Sequence, residues 1–191
     1  MTQYLFQQEF TNQNFESDWL NLKEFEKCTF QNCRFSEANF IGITFVDCFF
    51  KNCHFDQAKI NHTAWRTVEF QECSIIDVNF AMSDKLIFEI RFIDCRLDFS
   101  KFYALQLKET LFENCSLISV DFMQTDLSKA VFDGCDLYKA EFELAKLYHS
   151  DFRTSRNYSI NPEKTKLKGA QFSLPNAKGL LEKYDVIIVD S

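Results

Sequence analysis

The chain has 191 residues, 46% of them hydrophobic and 16% aromatic, with 23 Phe but only 4 Gly and 2 Pro. That composition excludes a disordered chain, which lacks apolar side chains to bury, and argues against a loop-rich sandwich, whose turns draw on Gly and Pro. The formal net charge of −7 is unevenly spread, −10 over residues 1–152 and +3 over residues 153–191, so the body of the chain is a poor ligand for nucleic acid or an anionic membrane.

In chain order, Met1-Thr2-Gln3-Tyr4-Leu5 lacks the basic segment and apolar core of a signal peptide. No apolar run reaches the roughly 18–20 residues of a membrane span, and the expectation is a soluble cytoplasmic protein. Phe10, Phe15 and Leu20 then open a series with an apolar residue at every fifth position. In this first stretch Gln3, Gln8, Gln13, Asp18 and Lys23 stand two places before the apolar residues. Later units carry small residues there, so residues 1–24 are read as atypical N-terminal capping coils. Such coils shield a solenoid's core and stop edge pairing.

From residue 25 to 152 the series is almost unbroken: Phe25, Phe30, Phe35, Phe40, Phe45, Phe50 and Phe55 lead through Trp65, Phe70 and Phe80 to Phe92, Phe112, Phe132 and Phe152. A period of five fits neither the α-helix at 3.6 nor the strand at 2; it is an internal repeat. Two places before each apolar centre stands a small residue such as Cys33, Ala38, Cys53, Ser100, Thr125 or Ala140. Each unit thus points one large and one small side chain inward and three residues outward. The register slips by two over residues 81–91, predicting a bulge at mid-length. Over 153–191 the period fails, returns at Leu167 and Phe172, and gives way to a short helix from Pro175 to Tyr184 and a strand, Val186-Ile187-Ile188-Val189.

The cysteines supply an independent measure of the coil. Cys28 and Cys48 are 20 apart, as are Cys33, Cys53 and Cys73, and Cys95, Cys115 and Cys135, while Cys73 to Cys95 is 22. Four units therefore make one coil, and six cysteines stack along one side. They are read as small buried hydrophobes. The chain has no Cys-x-x-Cys or His pair of zinc-site spacing, and no metal or cofactor is expected.

Units such as Ala130-Val131-Phe132-Asp133-Gly134 and Cys135-Asp136-Leu137-Tyr138-Lys139 resemble those of the pentapeptide repeat family, over roughly residues 25–152. The resemblance implies an all-β fold, a right-handed quadrilateral parallel β-helix with a short C-terminal helix and strand. Phe30-Gln31-Asn32-Cys33-Arg34-Phe35 and the ending Leu180-Leu181-Glu182-Lys183-Tyr184 are similar to the Qnr, MfpA and microcin B17 immunity type. Those are acidic rods, commonly dimers through their C-terminal ends, that engage DNA gyrase or topoisomerase IV where DNA would sit.

No catalytic constellation is visible: the three histidines are scattered and the four glycines isolated, so the chain reads as a non-enzyme. The side centred on Phe10, Phe30, Phe50 and Phe70 is the more acidic, and Glu69, Glu72, Asp94, Glu113, Asp133 and Asp151 are the candidate partner-binding residues. A rod of about 7 coils at roughly 4.8 Å each carries about one net charge per 3.5 Å, about half the line charge of duplex DNA. That line charge permits mimicry of DNA, and the resemblance implies a DNA mimic that binds gyrase or topoisomerase IV and modulates quinolone or toxin action. The alternative is a scaffold or interaction module for another protein. A homodimer through Leu180, Leu181, Tyr184 and Ile187 is the companion expectation, with no direct nucleic-acid or membrane contact.

Overall fold

A computed structural model describes residues 3–15 and 23–189. Its strands are β1 (Gln3–Phe6), β2 (Glu9–Thr11), β3 (Lys23–Glu26), β4 (Thr29–Gln31), β5 (Thr44–Val46), β6 (Phe49–Lys51), β7 (Ala64–Arg66), β8 (Val68–Gln71), β9 (Ile90–Ile93), β10 (Leu111–Glu113), β11 (Val131–Asp133), β12 (Asp151–Phe152) and β13 (Gln171–Phe172). All pairings are parallel, and the chain winds into a quadrilateral β-helix of about 8 turns. β1, β3, β5 and β7 form the first wall, and β2, β4, β6 and β8 to β13 form the second. The third and fourth walls are held by single bridges such as Arg34↔His54 and Asp121↔Glu141.

The five-residue period becomes a contact map. Phe10 pairs with Phe30 and Phe30 with Phe50, 20 residues on each time. Their rings stack at 4.9 and 4.6 Å, close to the spacing of adjacent strands and within the range of offset aromatic stacking. The same ladder runs on to Phe172, and the central residues of the other walls are buried along most of the rod, with Leu5 and Leu167 partly buried at its ends.

The small inward residues do more than save space. Cys53 Sγ donates to the carbonyl of Phe30 one coil below at 3.4 Å. Thr63, Thr125, Ser150 and Ser155 donate their hydroxyls to Phe40, Phe102, Leu127 and Phe132 in the same way, at 2.6–2.9 Å. Among the described residues no carbonyl lies beneath the first coil. There Gln8 and Gln13 turn their amides onto Phe6 O and Thr11 O of their own coil, at 2.9 and 3.1 Å. Asp18 and the rest of residues 16–22 lie outside the described residues.

Most corners of the square hold a residue with positive φ, and non-glycine residues carry most of these, among them Asn32, Asp94, Phe99 and Leu144. Asn and Asp tolerate this left-handed conformation best. At one corner Asn52, Asn32 and Asn12 also link side chain to side chain at 2.8 and 3.2 Å. Gly134 sits where a Cβ would fall 2.5 Å from Asn114 Oδ1.

Between β8 and β9 the register is 22 residues, Phe70 opposite Phe92. The two extra residues leave the second wall continuous and interrupt the first, whose sheet ends at β7. A bulge over 83–89 is pinned by Asp84 N–H to Thr63 O at 2.9 Å and Glu89 N–H to Trp65 O at 3.1 Å. It leaves Leu86 81% exposed.

At the C-terminal end the expected helix is present, but as two 3₁₀ segments, Leu174–Leu180 and Glu182–Tyr184, with Pro175 in the first turn of the former. Gly179 lets the first segment approach the last coil so closely that a Cβ would lie 2.0 Å from Tyr158 O. The expected terminal strand is corrected: Val186–Val189 pair with no strand. The β-branched run has the composition of a strand, but composition alone does not supply a partner edge.

Candidate protein-partner interface

The second wall presents two outward columns, one on each side of the phenylalanine ladder, and a corner column. Glu69 stands in the first, with Arg91 on the next rung. Glu72 is at the corner, its carboxylate 3.7 Å from Lys51 Nζ. Asp151 is gripped by Arg153, whose Nε and terminal nitrogen lie 2.7–3.1 Å from the two carboxylate oxygens. These hydrogen bonds hold its carboxyl below the usual range.

The other three expected acids differ. Glu113 and Asp133 occupy successive rungs of the second column, and Asp94 takes the corner beside Ile93, which pairs with Glu113. Asp94 accepts from Asn114 Nδ2 at 3.1 Å and Asp133 from Thr154 Oγ1 at 2.6 Å. The ion pairs of this wall go to Glu72 and Asp151 instead. The six acids thus separate into flanking groups beside cations and a central strip over three rungs, Asp94, Glu113 and Asp133, that makes no ion pair among the described residues.

Half-buried Phe49, Ile93, Leu111 and Val131 lie between the acids. They are legible as outward positions in the period, although the acids around them dominate the charge pattern of this wall. The first wall is the counterpart: beyond the slip, Lys108 and Lys146 share the buried Asp126 at 3.5 and 3.6 Å. Burial pushes the Asp126 carboxyl up, but the Ser128 hydroxyl and amide and the two lysines outweigh it and hold the group below its ordinary value.

Of the four residues expected at the dimer contact, Leu180 packs against the core of its own chain. Leu181, Tyr184 and Ile187 are 41%, 49% and 91% exposed. Tyr184 is oriented by its hydroxyl, which donates to Glu163 at 2.9 Å. All eight cysteines are free and buried. Burial pushes the thiols of Cys28, Cys48 and Cys73 up, that of Cys48 to about 12, so they stay protonated and donate to carbonyls. Among the described residues no cluster of three His, Cys, Asp or Glu side chains could hold a metal ion, and no helix is long and apolar enough to cross a membrane.

With this geometry in view, a family model described as the pentapeptide repeat region matches residues 23–89 and 85–172. The chain belongs to the pentapeptide repeat family. Among solved structures it is similar to a trypsin-treated variant of QnrB1, a plasmid-mediated fluoroquinolone resistance protein, with a TM-score of 0.64 and 16% identity over 97% of this chain and 100% of the other. A second trypsin-treated QnrB1 variant gives a TM-score of 0.53 at 16% identity over 96% of this chain and 100% of the other. HetL of Nostoc sp. strain PCC 7120, a pentapeptide repeat protein involved in heterocyst differentiation regulation, gives 0.48 at 16% identity over 89% and 87%. No curated protein matches this chain by sequence. At these identities the likeness concerns the fold.

Proposed function

We propose that this pentapeptide repeat protein is a non-enzymatic rod that binds a protein partner through its second wall, as a DNA mimic engaging DNA gyrase or topoisomerase IV. The observation that carries the reading is the strip Asp94, Glu113 and Asp133, set on consecutive rungs of a parallel ladder and outside the wall's ion pairs. Carboxylates spaced at about 4.8 Å along a stiff axis present a DNA-binding groove with a regular row of negative charge. Such a row steers association and fixes register. In this role the protein modulates the action of a quinolone or a peptide toxin on the enzyme.

The test is a supercoiling titration. Purified protein at about micromolar concentration inhibits gyrase supercoiling or relieves drug poisoning, and Glu113→Lys with Asp133→Lys raises the concentration required at least about tenfold. Absence of any effect, with no binding to either gyrase subunit, removes the reading.

The protein pairs with a second copy through its C-terminal end. Leu181 and Ile187 are exposed apolar side chains beside the last coil, the kind of surface that a partner covers. Light scattering gives a dimer mass for the native chain and a monomer for Leu181→Glu with Ile187→Glu. An unchanged dimer moves the contact elsewhere.

A second reading, an interaction module for a different protein, is favoured by Met82, Leu86 and Ile87, exposed by 46%, 81% and 53% at the slip. Capture of that partner would survive high salt, whereas the charge-driven contact weakens.

A further inference from the structure

The fourth wall stops one rung short of the others. Along it, each central residue donates upward and the residue before it donates downward. Phe102 N–H bonds Asp121 O at 2.8 Å and Asp121 N–H bonds Ser100 O at 3.0 Å. Phe122 N–H bonds Glu141 O and Glu141 N–H bonds Val120 O, both at 2.9 Å. Above this rung the chain detours through residues 159–164 and rejoins only where Leu144 N–H meets Lys164 O at 3.0 Å. Three backbone groups are left over: Lys139 N–H, Ala140 C=O and Phe142 N–H have no hydrogen-bond partner among the described residues. Ala140 and Phe142 are only 4% and 3% exposed, and backbone groups in such surroundings are rarely left unpaired. They line a groove of about 520 Å³ between Glu141 and the detour.

The charges beside this edge are specific. Asp121 and Glu141 stand in register on adjacent rungs, a like-charge pair that destabilises a ladder. One rung below, the chain answers Asp121 with Lys101. Glu143 is answered by Lys164 at 2.7 Å. Among the described residues Glu141 has no ion pair, and its unmet neighbour is the missing rung.

We propose that this edge accepts an extended peptide strand that carries a basic side chain over Glu141. One residue of that strand donates its N–H to Ala140 O and accepts from Phe142 N–H, as Asp121 does for Ser100 and Phe102. Strand addition of this kind takes affinity from main-chain bonds and specificity from side chains. The chain's own tail is a poor occupant, because Val186–Val189 contains no basic residue.

The probe is acetyl-Thr-Lys-Val-Lys-amide, titrated into the ¹⁵N-labelled full-length protein, with acetyl-Thr-Glu-Val-Glu-amide as its charge-reversed control. The lysine peptide shifts the amide signals of Lys139 and Phe142 saturably, with Kd on the order of 1 mM. The glutamate peptide binds about two- to fivefold more weakly, and Glu141→Lys reverses that preference. The proposal is overturned by equal responses to the two peptides or by no saturable shift at these amides. It is also overturned if the Phe142 amide of the free protein exchanges as slowly as that of Phe122, which would mean that the edge is already filled, as by the tail of a second copy.

Discussion

The two ends of this rod are closed by opposite means. At the N-terminal end, carbonyls that would face a lower coil are met by polar side chains of the same coil, Gln8 onto Phe6 O and Gln13 onto Thr11 O. At the C-terminal end a 3₁₀ helix lies over the last coil, with Gly179 against Tyr158 and Asn176 Nδ2 on Ser155 O at 2.9 Å. A polar closure satisfies the backbone without adding apolar surface. A helical closure covers the core with apolar residues and leaves others outside, Leu174, Leu181 and Ile187 among them. The N-terminal coil exposes Tyr4 and Phe6, but the helical closure leaves more apolar side chains outside, and association is expected there.

The contrast can be broken most severely at Gly179. Gly179→Ala places a methyl group 2.0 Å from Tyr158 O, so the helix must lift, at a cost of about 1–3 kcal/mol, visible as a lower denaturation midpoint and a mass change in solution. An unchanged midpoint would show that the helix is not fastened there. The N-terminal closure should be softer. Gln8→Ala and Gln13→Ala each remove one hydrogen bond, worth about 0.5–1.5 kcal/mol, with faster amide exchange in β1 to β4 and no change of mass. If the double variant matches the parent, the glutamines do not cap the coil.

The smallest effect concerns the tail clamp. Lys183, and then the Tyr184 hydroxyl, hold Glu163 below the usual glutamate value. A carboxyl depressed in the folded state contributes stability that is full above its unfolded pKa and is lost as pH falls through its folded pKa. The Tyr184 environment, followed by tyrosine fluorescence, should therefore loosen only on the acid side of the ordinary glutamate range. Glu163→Gln should remove that pH dependence while leaving the coils intact.

Much of the architecture was legible from residue types because the solenoid places contacts at a constant offset. Phe30 touches Phe50 for the same reason that Cys33 lies under Cys53, and a register of 20 residues, shifted once to 22 at Phe70 and Phe92, describes both. The candidate site was legible only as a list of outward acids. Nothing in the period distinguishes Asp151, bound by Arg153, from Asp133, bound by a threonine hydroxyl. That difference lies in how side chains from neighbouring positions bend toward one another. The role shared by Cys, Ser and Thr at the inward small position was also hidden, since their donor capacity matters only once a carbonyl lies below. The terminal run Val186–Val189 has strand composition, yet pairing needs an edge, and composition does not say where an edge lies.

The five-residue spacing by itself determined the coil, the buried ladder and the residues facing solvent, because in a stacked repeat each residue's neighbours are set by its distance along the chain. Only the tertiary structure decided which acids take an ion pair, how each end is closed, and that the fourth wall lacks its last rung. Those properties depend on contacts where the repeat is interrupted, by the detour after Phe152 and by the chain ends, and there a constant offset no longer names the partner.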